Sequence, residues 1–173
     1  MLMRAGEPGK GMRRRFLSRP GTLAVAALFL LAFILSEGCA MGLSSPLVLF
    51  SEVHGTVLSD GKPVQGAELV QEVVWSDNKN DVPPARARSD AQGRFHFPMV
   101  ERRPGVLRAV PHQPVILQKI TISYEGRDYT AWRHTRNSYE PNAELDGKPL
   151  NLECELTRAP DFEGTHYGIC KAI

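Results

Sequence analysis

A chain of 173 residues, 42% of them hydrophobic, holds enough apolar material for one domain with a sizeable core, which excludes a wholly disordered protein. Its formal net charge of +2 hides an asymmetry: Arg4, Lys10, Arg13, Arg14, Arg15 and Arg19 all precede residue 21, and from Ala40 onward 15 basic residues face 17 acidic ones. A body with a net charge of −2 carries no polycationic footprint, so nucleic acid is excluded as a partner.

Residues 21–35, GTLAVAALFLLAFIL, are uncharged, preceded by arginines and followed by the small and polar residues SEGCAMG. This is the tripartite layout of a secretory signal. The run is shorter than the roughly 17–25 residues that span a bilayer comfortably, which leaves cleavage, lipidation and retention as an uncleaved anchor as its possible fates. RRRFL at 13–17 resembles the twin-arginine export motif, while the apolar run also suits ordinary unfolded export. Cys39, followed by Ala-Met-Gly, resembles the lipid-acceptor cysteine of bacterial lipoproteins, with Leu35 one place early and Glu37 where that pattern has a small or apolar residue. The expected organisation is a leader or anchor over 1–39, a linker over 40–51 and a domain over 52–173. The expected location is the bacterial envelope, periplasm-facing and membrane-held as a lipoprotein.

Beyond the linker the chain reads as strand after strand: 53–58, 67–75, 85–89, 94–97, 115–124, 127–134 and 150–157 are rich in β-branched, aromatic or alternating residues, with Gly, Pro, Asp and Asn between them. The fold class expected is all-β, a seven-stranded antiparallel sandwich. In the last strand Leu150, Leu152, Cys154 and Leu156 share one face and Asn151, Glu153, Glu155 and Thr157 the other, the pattern of a half-buried antiparallel strand. Ile120, Ile122 and Tyr124 project together, and Gly126 turns the chain into RDYTAWRHT, so 115–134 reads as a hairpin. Residues 76–87 and 135–149 are the two long polar connections, the second with Tyr139 as its one large apolar side chain.

In HGTVLSDGKPVQGAELV, Asp60-Gly61 supplies a turn and Pro63 stiffens its exit. Later, in SDAQGRFHF, Asp90 and Gly93 flank a second tight turn, with Phe95 and Phe97 on one face. Gly55-Thr56-Val57, the run from Gly61 to Leu69, and the run from Ser89 to Phe97 together resemble the carboxypeptidase regulatory-like and wider transthyretin-like (prealbumin-like) β-sandwich families. The resemblance implies a seven-stranded sandwich serving as an accessory, adhesive or ligand-presenting module, and it says little about function. A transthyretin-related hydrolase would need a histidine where Thr56 stands. His54 is one strand period early, nearly 7 Å away, and the chain ends YGICKAI in place of that family's Tyr-Arg-Gly-Ser.

Cys154 and Cys170 are the expected disulfide, tying down a tail with little regular structure of its own; two unpaired thiols are the alternative. His54, His96, His112, His134 and His166 show no pair at helical i, i+4 spacing and no H-x-H, so no metal, cofactor or catalytic residue is assigned. YTAWRHTR, 129–136, carries the candidate binding residues Tyr129, Trp132, Arg133 and His134: aromatic and cationic groups on one ribbon, of the kind that anchor interfaces, unless Trp132 is simply core. The expected function is a non-catalytic, envelope-anchored module that binds or supports another envelope protein. A periplasmic immunity protein against an envelope-targeting toxin and a transthyretin-like hydrolase are the alternatives.

Overall fold

The structure, a computed structural model, describes residues 45–77, 82–104 and 113–173. The leader, the lipid-acceptor candidate Cys39, the first residues of the linker and His112 lie outside the described residues.

The described chain is all-β and forms a sandwich. Its strands are β1 (Leu47–Phe50), β2 (Val53–Ser59), β3 (Lys62–Pro63), β4 (Glu68–Trp75), β5 (Ala85–Arg88), β6 (Arg94–Phe97), β7 (Val100–Arg102), β8 (Ile116–Tyr124), β9 (Arg127–Arg136), β10 (Leu150–Glu155), β11 (Asp161–Glu163), β12 (His166–Gly168) and β13 (Cys170–Ala172). A six-stranded sheet runs β11-β12-β9-β8-β4-β5, and a five-stranded sheet runs β13-β10-β2-β3 with β6 also on β2. The seven strands expected from sequence are β2, β4, β5, β6, β8, β9 and β10.

Alternation explains the layers. In β4 the side chains of Leu69, Gln71, Val73 and Trp75 are buried, and in β8 those of Ile116, Gln118, Ile120 and Ile122. Val53, Val57, Phe95, Phe97, Leu150 and Leu152 answer them from the other sheet, so one apolar layer fills the space between. Asp60 and Gly61 both have positive φ (49° and 71°), as the two-residue turn between Ser59 and Lys62 requires. Glu155 holds that turn: its carboxylate accepts from the backbone N–H of Asp60 and of Gly61, both at 2.9 Å. In the second turn Asp90 accepts from the N–H of Gln92 and Arg94. Gly93 there has φ of 72° and no room for a side chain, because a Cβ would stand 2.4 Å from the Val57 carbonyl oxygen.

Three expectations change. The 40–51 linker ends early, because Leu47, Val48, Leu49 and Phe50 are all buried and form β1, antiparallel to β7. β10 keeps its predicted alternation but runs parallel to β2, with β13 antiparallel on its other side. Side-chain alternation has the same period in both pairings, so the sequence could not separate them. The tail also has regular structure of its own, in β11, β12 and β13. Cys154 and Cys170 are directly opposed on β10 and β13 and form the disulfide.

The connection 137–149 is held from inside by a charge. Glu144, in a short 3-10 turn (Ala143–Leu145), has a fully buried side chain and accepts from Ser51 N–H (3.0 Å), Ser51 Oγ (2.7 Å), Gln118 Nε2 (2.7 Å) and Arg136 Nη1 (2.7 Å). Arg136, equally buried, donates its remaining N–H groups to the carbonyls of Ser138 and Glu140. Burial pushes the Glu144 carboxyl up, but the Ser51 hydroxyl, the Arg136 charge and the Gln118 amide outweigh it and hold the group below its usual value of 4.5.

Replacing Glu144 with Gln leaves the Arg136 charge buried without an anion and is expected to cost about 3–5 kcal/mol, read as a lowered urea midpoint at pH 7. A carboxyl that titrates lower when folded contributes its full stability above the unfolded value and loses it as pH falls through the folded one. The destabilisation by Glu144→Gln should therefore shrink in acid, below the usual value of 4.5. The double variant Cys154→Ser, Cys170→Ser is expected to lose about 3 kcal/mol in the same measurement, from the loop-closure entropy the crosslink removes.

Candidate functional site

Two surfaces gather the chain's chemistry. On the outer face of the six-stranded sheet, period-two alternation brings Glu72 and Val74 of β4, Leu117 and Lys119 of β8, Arg133 and Thr135 of β9, Tyr167 of β12 and Phe162 of β11 into two cross-strand rows. Val74, Leu117 and Thr135 make the first row. Glu72, Lys119, Arg133, Tyr167 and Phe162 make the second. These residues line a groove of about 690 Å³. Lys119 Nζ meets Glu72 at 3.0 Å, whereas Arg133 has no carboxylate within ion-pair distance among the described residues. Val74 is 44% exposed, Leu117 48% and Phe162 72%, with the Phe162 ring 5.0 Å from that of Tyr167.

The predicted ribbon is divided by a β-bulge. Between the pairs Thr121 with Thr130 and Ile120 with Trp132, β9 carries the extra residue Ala131. An added residue reverses face parity, so Tyr129 and Trp132 both turn inward and Arg133 turns out. Trp132 is fully buried and is core, which removes it from the candidate binding residues. His134 is buried too, with Nδ1 3.0 Å from the Thr165 carbonyl oxygen, and Tyr129 packs against the core. Of the four, Arg133 is the exposed one, Tyr129 is half-buried and His134 borders the groove. The groove residues Val74, Leu117 and Phe162 were missed because an exposed apolar side chain on an alternating strand looks like any other until the neighbouring strands are known.

The four described histidines form two cross-strand pairs, His54 with His96 and His134 with His166. The second is internal: the His166 ring stacks on Trp132 at 4.0 Å, and burial lowers its pKa, which favours the neutral form. The first pair is exposed. Its rings stack at 4.6 Å, and Nε2 of His96 and of His54 lie 2.7 Å and 3.4 Å from the same Glu52 oxygen. The His96 hydrogen bond lowers the Glu52 pKa, with burial opposing and the His54 and His96 charges assisting. Among the described residues these three are the group of His, Cys, Asp or Glu placed closely enough to share a metal ion, their ligand atoms lying within 4.8 Å of one another. Spacing along the chain concealed the pair because its partners sit on different strands. The signal available was Glu52-x-His54, two ligand types at strand period.

The fold and these surfaces define a small all-β sandwich with an apolar groove on one sheet and an imidazole pair on the other. The chain belongs to the family described as Domain of unknown function (DUF6795), which matches residues 53–159. The match takes in both exposed histidines and most of the groove, and ends before β11. Comparison with curated proteins gives no match.

Proposed function

We propose that this chain is a non-catalytic, envelope-anchored β-sandwich module that binds or supports another protein at the bacterial membrane through the outer face of its six-stranded sheet. The observation that carries the reading is that exposed Val74, Leu117 and Phe162 line one groove with Arg133, which among the described residues has no carboxylate within ion-pair distance. Exposed apolar side chains interleaved with a cation are the composition of a recognition patch, where aromatic and arginine side chains supply most of the binding energy. The partner suited to it presents apolar side chains next to a carboxylate that meets Arg133. Leader composition and Cys39 support membrane attachment. The placement of Asp60-Gly61 and of Asp90 and Gly93 at tight turns of the sandwich supports kinship with carboxypeptidase regulatory-like and transthyretin-like modules.

A photocrosslinking residue placed at Leu117 in cells is expected to give a discrete protein adduct that Arg133→Glu and Phe162→Ser each abolish. The same probe at Thr56, on the other sheet, is expected to give none. Equal adducts from both positions, or none from Leu117, would refute the groove as the binding face. Cys39→Ala is expected to abolish incorporation of a clickable fatty acid and move the protein out of the membrane fraction.

A further inference from the structure

The second surface has chemistry that the proposed groove does not use. β2 and β6 are antiparallel, with His54 directly opposite His96 on the outward face, so the two imidazoles leave the sheet from one rung. Glu52 precedes His54 by one strand period, which returns its carboxylate to the same side. We propose that Glu52, His54 and His96 form a binding site for a divalent late first-row transition metal ion of the zinc class.

Two imidazole nitrogens and a carboxylate oxygen are the donor set that zinc accepts, at about 2.0–2.2 Å from the ion and therefore about 3.3 Å from one another in a tetrahedron. The His96 and His54 nitrogens stand 2.7 Å and 3.4 Å from the Glu52 oxygen, and all three donor atoms lie within 4.8 Å, so small side-chain rotations bring them to that spacing. The rings stack at 4.6 Å with 19° between their planes, and both Nε2 atoms approach the same Glu52 oxygen. As an ion pair the arrangement has little value, because exposed pairs contribute near zero. A single ion among the three side chains would use every donor. Arg94, which lines the neighbouring recess, is turned to Asp90 at 3.0 Å, which offsets its charge. The ligands are half-exposed beside a recess lined by Thr56, Arg94 and Asn151, which leaves the fourth position to water.

The test is calorimetric titration of the full, untagged chain in detergent with zinc chloride, alongside imidazole nitrogen NMR. One equivalent is expected to bind, with the His54 and His96 ring signals shifting and those of His134 and His166 unmoved. Because losing even an outer-shell partner of a metal ligand costs about 10–100-fold, His54→Ala and His96→Ala should each weaken binding at least about tenfold, and Glu101→Gln, outside both surfaces, should leave it unchanged. Absence of heat and of ring shifts would overturn the proposal. So would zinc binding that both histidine variants retain, since it would place the ion elsewhere on the chain.

Discussion

The buried carboxylate of Glu144 ties the 137–149 connection and the residue after β1 to the paired strands β8 and β9. Its two oxygens accept hydrogen bonds from Ser51, just past β1, from Gln118 on β8 and from Arg136 on β9. An ion pair withdrawn from water is costly unless its remaining donors and acceptors are satisfied, and here Arg136 is closed off by two backbone carbonyls. The arrangement specifies where the 137–149 connection must lie, and with it the position of the four-residue strand β1. That in turn lets Leu47, Val48, Leu49 and Phe50 be buried at the edge of the domain.

With the interior so defined, the two sheets keep different surfaces. The six-stranded sheet carries large apolar side chains outward on β4 and β8, where a solvated sheet would carry polar ones, and the bulge at Ala131 turns Arg133 to join them. On the five-stranded sheet Glu52, His54 and His96 project from adjacent positions into solvent. The proposed metal site and the proposed docking groove therefore lie on separate sheets, so either is separable from the other by substitution. The disulfide joins β13 to β10 within the five-stranded sheet, while β11 and β12 extend the six-stranded one. The C-terminal segment thus contributes to both layers, and it supplies the Phe162 and Tyr167 rings of the groove.

Particular residues show what could be read early. Leu150, Leu152 and Cys154 alternate with Asn151, Glu153 and Glu155, and their burial follows as expected, because one face of a strand at a core must be apolar whichever way its neighbours run. Asp60-Gly61 and Gly93 mark turns because glycine, lacking a Cβ, enters positive φ freely and aspartate does so more readily than most residues. The Cys154–Cys170 pairing was legible from the scarcity of cysteines beyond the leader. Glu144 was not legible, since a carboxylate in a polar connection is ordinarily solvated and only its four donors make it an interior residue.

Local chemistry by itself therefore determined the all-β class, seven of the strands and the turns, each a matter of near neighbours in the chain, and the scarcity of cysteines determined the crosslink. Tertiary structure alone decided that β10 runs parallel to β2, that Trp132 is core while Arg133 is surface, and that His54 meets His96. Each of these depends on pairing between distant strands. A single bulged residue or a change of strand direction alters which side chains meet while leaving the hydrophobic alternation almost untouched.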